Sequence, residues 1–249
     1  MRWSGAAMRP SRWVFRGWKA AGVVDEDAMT PFWSFLKSTI GLKVLMALSG
    51  FILFGFMVEH MVGMLLYFKG SDLLNRYGEV LHASPLFLWT ARSAMIVAAG
   101  IHIWTSALLV LRQWTARPVG YQRKQSRAVA YAARTMKYTG PLVLAFVFFH
   151  LAHFTWGWQV TPAPFIEGDV YANVTASFQH AWVAIVYVVA VCLVGFHLIH
   201  GGHSMFESLG LRHPRFDGLI RTVAGGLTVA IVVGFVSLPC VILFQLVGG

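Results

Sequence analysis

Residues 170–206 read VYANVTASFQHAWVAIVYVVAVCLVGFHLIHGGHSMF, 37 consecutive positions without Asp, Glu, Lys or Arg. An α-helix rises ~1.5 Å per residue, so ~20 apolar residues cross the hydrocarbon core of a bilayer. This run exceeds that length. Read outward from it, the chain holds further uncharged runs at 93–111 (19 residues), 138–166 (29) and 222–249 (28), and a fifth at 44–68 broken only by Glu59. Of the 249 residues, 57% are hydrophobic and 12% charged. Soluble domains carry about 25% charge, so this chain could not clothe a water-exposed surface. Its hydrophobicity equally excludes intrinsic disorder. The sequence therefore predicts an all-α transmembrane protein, a five-helix bundle with spans at about 43–69, 85–112, 137–158, 177–207 and 219–247.

The net charge of +10 is unevenly distributed. Residues 1–43 hold seven Lys and Arg, 112–137 hold seven and 212–221 hold three, which is 17 of the 20. A five-span topology puts all three segments on one side, and the positive-inside rule makes that side, with the N-terminus, cytoplasmic. Such basic loops suit anionic lipid or an acidic docking partner, and no nucleic-acid-binding module is visible. Loops 70–84 and 159–176 then face outward. Pro162, Pro164 and Gly168 are expected to end the helix before them, and Pro239 to kink the fifth span. Tyr67, Trp89, Trp156, Trp158 and Trp182 mark the outer interface, with Trp114 and Tyr121 near the inner one. Segment 1–37, with Trp3, Arg9, Arg12, Trp13, Arg16, Trp18 and Lys19, lacks the apolar core of a secretory signal. It reads as a cytoplasmic interfacial piece preceding a membrane domain at 38–249, a transit peptide being the weaker alternative. Cys192 and Cys240 lie 48 positions apart with no CxxC and read as packing residues.

Ten histidines are present, and seven fall in or beside spans: His60, His102, His150, His153, His197, His200 and His203. A polar side chain inside a bilayer is costly, which makes each a functional candidate. Their depths group them. Taking spans 1 and 3 to climb outward, His60 stands ~25 Å above Lys43 and His150 ~20 Å above Lys137. Spans 2 and 4 descend, and His102 and His197 each stand ~15 Å above the inner edge. Facing imidazoles in a bundle core provide bis-imidazole axial ligation of haem iron, and two stacked levels would carry electrons across the membrane. Spacing alone does not choose between His150 and His153, or between His197 and His200. The cluster HLIHGGH also admits a diiron histidine box, which needs more ligands and usually carboxylates.

Arg92 lies about two turns inside span 2, where an unpaired guanidinium costs several kcal/mol. A haem propionate or quinone carbonyl would satisfy it, as would snorkelling to the headgroups. Arg134 and Lys137 suit inner propionates or simply enforce topology. Glu59 and His82, near the outer surface, are candidates for exchanging protons with a quinone. Glu59, adjacent to His60, must point away from a haem that His60 ligates.

The segments STIGLKVLMALSG (38–50), HMVGMLL (60–66), LWTAR (88–92), ARTMKYTG (133–140), FHLAHF (149–154) and FHLIHGGHSMFESLG (196–210) together resemble one family. It is the five-helix, di-haem cytochrome b anchor (b558 type) of bacterial succinate dehydrogenase/fumarate reductase, and the resemblance covers roughly 30–247. It implies that the first four helices enclose two stacked haems b. His60 and His150 would bind the haem distal to the dehydrogenase, and His102 and His197 the proximal one. It further implies a flavoprotein with FAD and an iron–sulfur subunit on the cytoplasmic side. Electrons would pass from these through the haems to a quinone, menaquinone by the resemblance, at the inner membrane of a bacterium. Departures from the family pattern are Leu42 for a second Lys, Met64 for Asn, Ala133 for Ser, and Gly195 where some members carry a proton-transferring Glu. The rival readings are a cytochrome b anchor of a hydrogenase or formate dehydrogenase, and a His-lined metal or proton transporter.

Overall fold

A computed structural model describes residues 31–115, 127–211 and 213–246, without the side chains of Phe32 and of 127–134. Arg134, through its side chain, and Tyr121 thus lie outside the described residues, as does the interfacial reading of residues 1–30. The described residues are helical, without strands: α1 (Pro31–Lys37), α2 (Thr39–Leu65), α3 (Ser71–His82), α4 (Pro85–Thr115), α5 (Arg127–Phe154), α6 (Val170–Phe178), α7 (Ala181–Ser208) and α8 (Pro214–Leu243). Five stretches are long and apolar enough to span a bilayer: Thr39–Lys69, Pro85–Thr115, Thr135–Phe154, Ala181–Ser208 and Pro214–Leu243. They fall within α2 (with the 3₁₀ turn Leu66–Lys69), α4, α5, α7 and α8, as the sequence predicts.

Local chemistry sets the helix ends. Ser38, in extended conformation, breaks α1 from α2 and caps the latter, its Oγ accepting from the Gly41 N–H at 3.0 Å. Arg112, near the end of α4, donates to the Lys37 carbonyl at 2.8 Å and to Thr39 Oγ1 at 3.3 Å, tying the two helix ends together. The third span stops at Phe154, well before Pro162 and Pro164. The Trp156 N–H and Trp158 N–H turn back to the Leu151 and Ala152 carbonyls, with Gly157 at φ +65°. This is helix termination through a left-handed glycine rather than through proline. The fifth span begins at Pro214, a first-turn position that suits a missing N–H, and α8 runs on through Pro239.

Two expected loops are not plain loops. Segment 70–84 contains α3, and 159–176 leads into α6, which carries Ser177 before the chain turns at Gln179 and His180 into α7. Span four therefore starts at Ala181 and not at Ser177. Together α3 and α6 form a cap. Asn75 Nδ2 donates to Asp169 at 2.9 Å, the Tyr171 N–H donates to Asn75 Oδ1 at 3.0 Å, and Asp169 accepts from the Ala172 N–H at 2.9 Å. Those donors hold the Asp169 carboxyl below its ordinary range, the Ala172 N–H contributing most. Tyr67 belongs to this cap and not to a lipid interface. It is 4% exposed, stacks on Tyr171 at 4.5 Å and shares a hydrogen bond of 2.9 Å with Thr175 Oγ1. Trp89, Trp114, Trp156, Trp158 and Trp182 are all exposed, as belt residues should be.

Helix packing forms an open ring. α2 packs against α4 and α7, and α7 packs against α5, while α8 lies against both α2 and α7. In the order α4–α2–α7–α5, the pairs α2/α5 and α4/α7 are diagonals rather than packed neighbours.

Candidate functional site: two histidine pairs on the diagonals

The diagonals are where the histidines meet. His60 of α2 faces His150 of α5 with ring centroids 5.8 Å apart and planes at 75°. His102 of α4 faces His197 of α7 at 6.2 Å and 61°. Each pair joins two spans that do not otherwise pack closely. The first pair lies toward the capped end. His102 touches α2 at Met46, Ser49 and Gly50, and Gly50 is ten residues before His60, so the pairs stand ~15 Å apart along the helix. α7 repeats that spacing, since Tyr187, beside His150, is ten residues before His197.

The pair near the α4–α7 mid-plane is held by backbone. His102 Nδ1 lies 3.2 Å from the Met46 carbonyl, which can only accept, so this nitrogen carries the proton and donates. Ser49 Oγ is 3.5 Å away and donates instead to the Leu45 carbonyl at 2.7 Å. A Cβ on Gly50 would stand 3.2 Å from His102 Cε1, so the bare glycine lets the ring settle against α2. His197 leaves Nδ1 buried without a hydrogen-bond partner. Such an atom costs about 1–3 kcal/mol unless something meets it.

The capped-end pair is held by side chains. His60 stacks on Phe56 (5.5 Å, 8°) and touches Phe235. His150 Nδ1 lies 3.5 Å from the Tyr187 hydroxyl, which is also 3.0 Å from His153 Nδ1. His153 is 4% exposed, and its Nε2 is 3.0 Å from Ser177 Oγ. Both nitrogens of His153 are therefore engaged. His200 Nε2 meets Ser204 at 3.3 Å, and His203 Nε2 meets Asp217 at 3.3 Å, with Arg221 on the same carboxylate at 3.0 Å. Each of these three flanking histidines meets a protein group through at least one ring nitrogen, and the four paired ones face each other across the bundle. Among the described residues no three side chains of His, Cys, Asp or Glu converge, which leaves the histidine-box arrangement without its ligand set. Cys192 and Cys240 are free thiols.

Of the remaining candidates, Glu59, His82 and Arg92 lie toward the capped end, and Lys137 lies toward the opposite end of α5. Glu59 is exposed and accepts a hydrogen bond from the Tyr77 hydroxyl of α3. Partial burial, and then this carboxylate, push the Tyr77 phenol up to about 12. His82, on the same helix, bonds through Nδ1 to the Gly78 carbonyl at 2.8 Å. Arg92 is half-buried with its guanidinium 5.4 Å from the Trp89 ring, a cation–π contact. Lys137 lies over Tyr138 at 4.7 Å. Gly195, where the resembled family can carry Glu, is buried against α8, and even a Cβ there would fall 2.6 Å from Val232 Cγ2. Tyr77, Tyr187 and Ser177 were not legible as site residues, because hydroxyls in apolar or loop sequence carry no periodic signature.

Comparison of the chain with protein-family models, with curated proteins and with solved structures finds no match in any of the three.

Proposed function

We propose that this chain is the membrane-anchor cytochrome b subunit of a bacterial succinate:quinone oxidoreductase, with one haem b held by His60 and His150 and a second by His102 and His197. The observation that carries the reading is the pairing of four imidazoles from four spans across both diagonals of one helix ring. The separations fit a shared metal atom. With metal–imidazole bonds of about 2 Å, two rings sharing one metal ion would have centroids roughly 6 Å apart or less, and those found are 5.8 and 6.2 Å apart. The unpartnered, buried Nδ1 of His197 supports the same conclusion, because that ring still has bonding capacity to spend.

Held by the four paired histidines, two haems b would supply one-electron transfer rather than oxygen activation. The chain's own part is positional. His102 donates Nδ1–H to the Met46 carbonyl, which orients its ring and leaves the other nitrogen to ligate. Arg92 and Arg134 provide guanidinium groups for propionates, Arg92 also suiting a quinone carbonyl. Glu59, held by Tyr77, and His82 provide proton-exchanging groups for a quinone, menaquinone on this reading, at the capped end. The basic end then faces the cytoplasm, where a flavoprotein with FAD and an iron–sulfur subunit dock, and the multi-pass bundle sits among the lipids of the bacterial inner membrane.

The test is a reduced-minus-oxidised spectrum and a haem assay on the purified complex. Two protohaems per chain, a b-type α band and a co-purifying flavin-bearing subunit with succinate–quinone activity support the reading. Haem without that partner points instead to an anchor of another quinone-linked dehydrogenase. Material that binds no haem points to a transporter and ends the proposal.

A further inference from the structure

A hydrogen-bonded chain runs from the capped-end pair into the cap, and its terminal acceptor fixes the direction of every proton along it. It starts at a group that can only accept, the Asn173 carbonyl, which lies 2.6 Å from Ser177 Oγ. Ser177 spends its one proton on this short bond. Toward His153 Nε2, at 3.0 Å, Ser177 must therefore accept, so the proton of neutral His153 sits on Nε2. His153 Nδ1 is then an acceptor, and the Tyr187 hydroxyl, 3.0 Å away, donates to it. With its proton committed, the Tyr187 oxygen can only accept from its remaining neighbour, His150 Nδ1 at 3.5 Å, the longest link. The far end is anchored too. The Asn173 side chain closes a reciprocal pair with the backbone of Ile166, at 2.9 and 2.7 Å, which fixes the start of α6.

The chain is buried in apolar surroundings. Tyr187 is 6% exposed and packs its ring against Phe146, Phe149, Phe154 and Phe178. A hydroxyl placed there without partners would cost about 1–3 kcal/mol, so the chain is kept or lost as a unit. Among the described residues the other pair has no such side-chain relay: Met46 offers a backbone carbonyl and Ser49 donates away from the ring.

We infer that Tyr187 is a positioning residue for His150, with His153 and Ser177 orienting its hydroxyl so that His150 keeps its proton on Nδ1 and presents Nε2 to a metal. The inference rests on the haem reading above. An acceptor behind a ligating imidazole makes it more electron-rich, which favours the oxidised metal and lowers the potential. Removing that acceptor should raise the potential at the capped-end level and leave the other level alone.

The experiment is a potentiometric titration of the whole complex in a His197→Ala background, so that the capped-end haem is observed by itself. Tyr187→Phe keeps the ring and deletes the acceptor. The expected result is a rise equivalent to about a tenfold change in the oxidised-to-reduced ratio, or ~59 mV for one electron. Ser177→Ala, two links away, should move the potential in the same direction by less. An unmoved potential in Tyr187→Phe, with haem retained, overturns the inference while leaving the haem reading intact. Should Tyr187→Phe lose the capped-end haem altogether, Ser177→Ala decides. A rise there supports the chain, and no change overturns it. A parent complex without haem overturns both, and that outcome is visible before any Tyr187 variant is made.

Discussion

The two histidine pairs have nearly the same separation but are held by different means. The α4–α7 pair is set by backbone, through the Met46 carbonyl and the bare surface of Gly50. The α2–α5 pair is set by side chains, through the Tyr187–His153–Ser177 chain and the aromatic rings of Phe56 and Phe235. A backbone carbonyl cannot be mutated away, and it moves only if its helix moves. A side-chain acceptor can be removed by a single hydroxyl deletion. Single substitutions around the ligands should therefore tune the capped-end level by degrees, while the other level answers mainly to changes in helix shape or contact.

The largest expected effect is at the ligands themselves. His102→Ala or His197→Ala should lower the haem content of the complex from two to one, and His60→Ala or His150→Ala should do the same for the other level. A haem assay and low-temperature α-band spectra of the four variants check this. By contrast, His200→Ala should keep both haems, because its Nε2 is engaged with Ser204. Loss of one haem in that variant, with His197→Ala retaining two, would move the ligand one turn along α7.

Next in size is Gly50→Val. A Cβ already stands 3.2 Å from His102 Cε1, so two further methyl carbons displace the ring from the Met46 carbonyl. Loss of an outer partner of a ligating histidine typically costs 10–100-fold in metal affinity, and the loss should fall on the His102/His197 level alone. Gly55→Ala is the control on the same helix, since nothing lies within 4 Å of the added Cβ. Competition with apomyoglobin for haem, read on the two variants, gives the ratio.

A smaller effect, shared by both levels, is expected at the α7–α8 seam. Gly195→Ala forces a methyl to 2.6 Å from Val232, and overpacking of this kind costs about 1–3 kcal/mol. α7 carries both Tyr187 and His197, so the thermal midpoint should drop with no preference for either haem. Val232→Ala should restore it. A loss confined to one level would show that the seam does not act through α7 as a rigid body.

How much of this was legible in the sequence follows from what each signal depends on. Uncharged runs longer than a bilayer is thick do not depend on neighbours, so the five spans could be read directly. Pairing by depth requires only the helix rise and a common edge, and the structure brings together the four histidines so grouped. The cap was not legible. Segments 70–84 and 159–176 are rich in Gly, Pro, Asn and Asp, and the helices within them are held by contacts across the chain, such as Asn75 with Asp169 and Tyr171. Tyr67 departs from its sequence expectation for the same reason. An aromatic residue at a span end normally suits a headgroup layer, and only the presence of Tyr171 and Thr175 turns it inward. Spacing leaves His150 and His153 open because both have it; what distinguishes their surroundings is that both His153 nitrogens are hydrogen-bonded, whereas His150 is bonded through Nδ1 and faces His60.

The smallest expected effect lies at the edge of the capped end, where Glu59, next to His60 in sequence, meets Tyr77. Among the described residues, no carboxylate–phenol contact of this kind lies beside the other pair. The Tyr77 phenol is pushed up to about 12, by partial burial first and by Glu59 second. The folded chain thus holds this proton between about pH 10 and 12 while an unfolded tyrosine releases it near 10. Any stability linked to Tyr77 is therefore fully present below pH 10 and is lost as the pH rises through 12. Glu59→Gln removes the carboxylate charge and leaves burial, the largest single cause, in place. The Tyr77 titration, followed at 295 nm as the difference from a Tyr77→Phe background, should move down only part of the way toward 10. A shift all the way to 10 would show that the carboxylate outweighs burial, whereas no shift would show that the Tyr77–Glu59 bond does not form in the membrane.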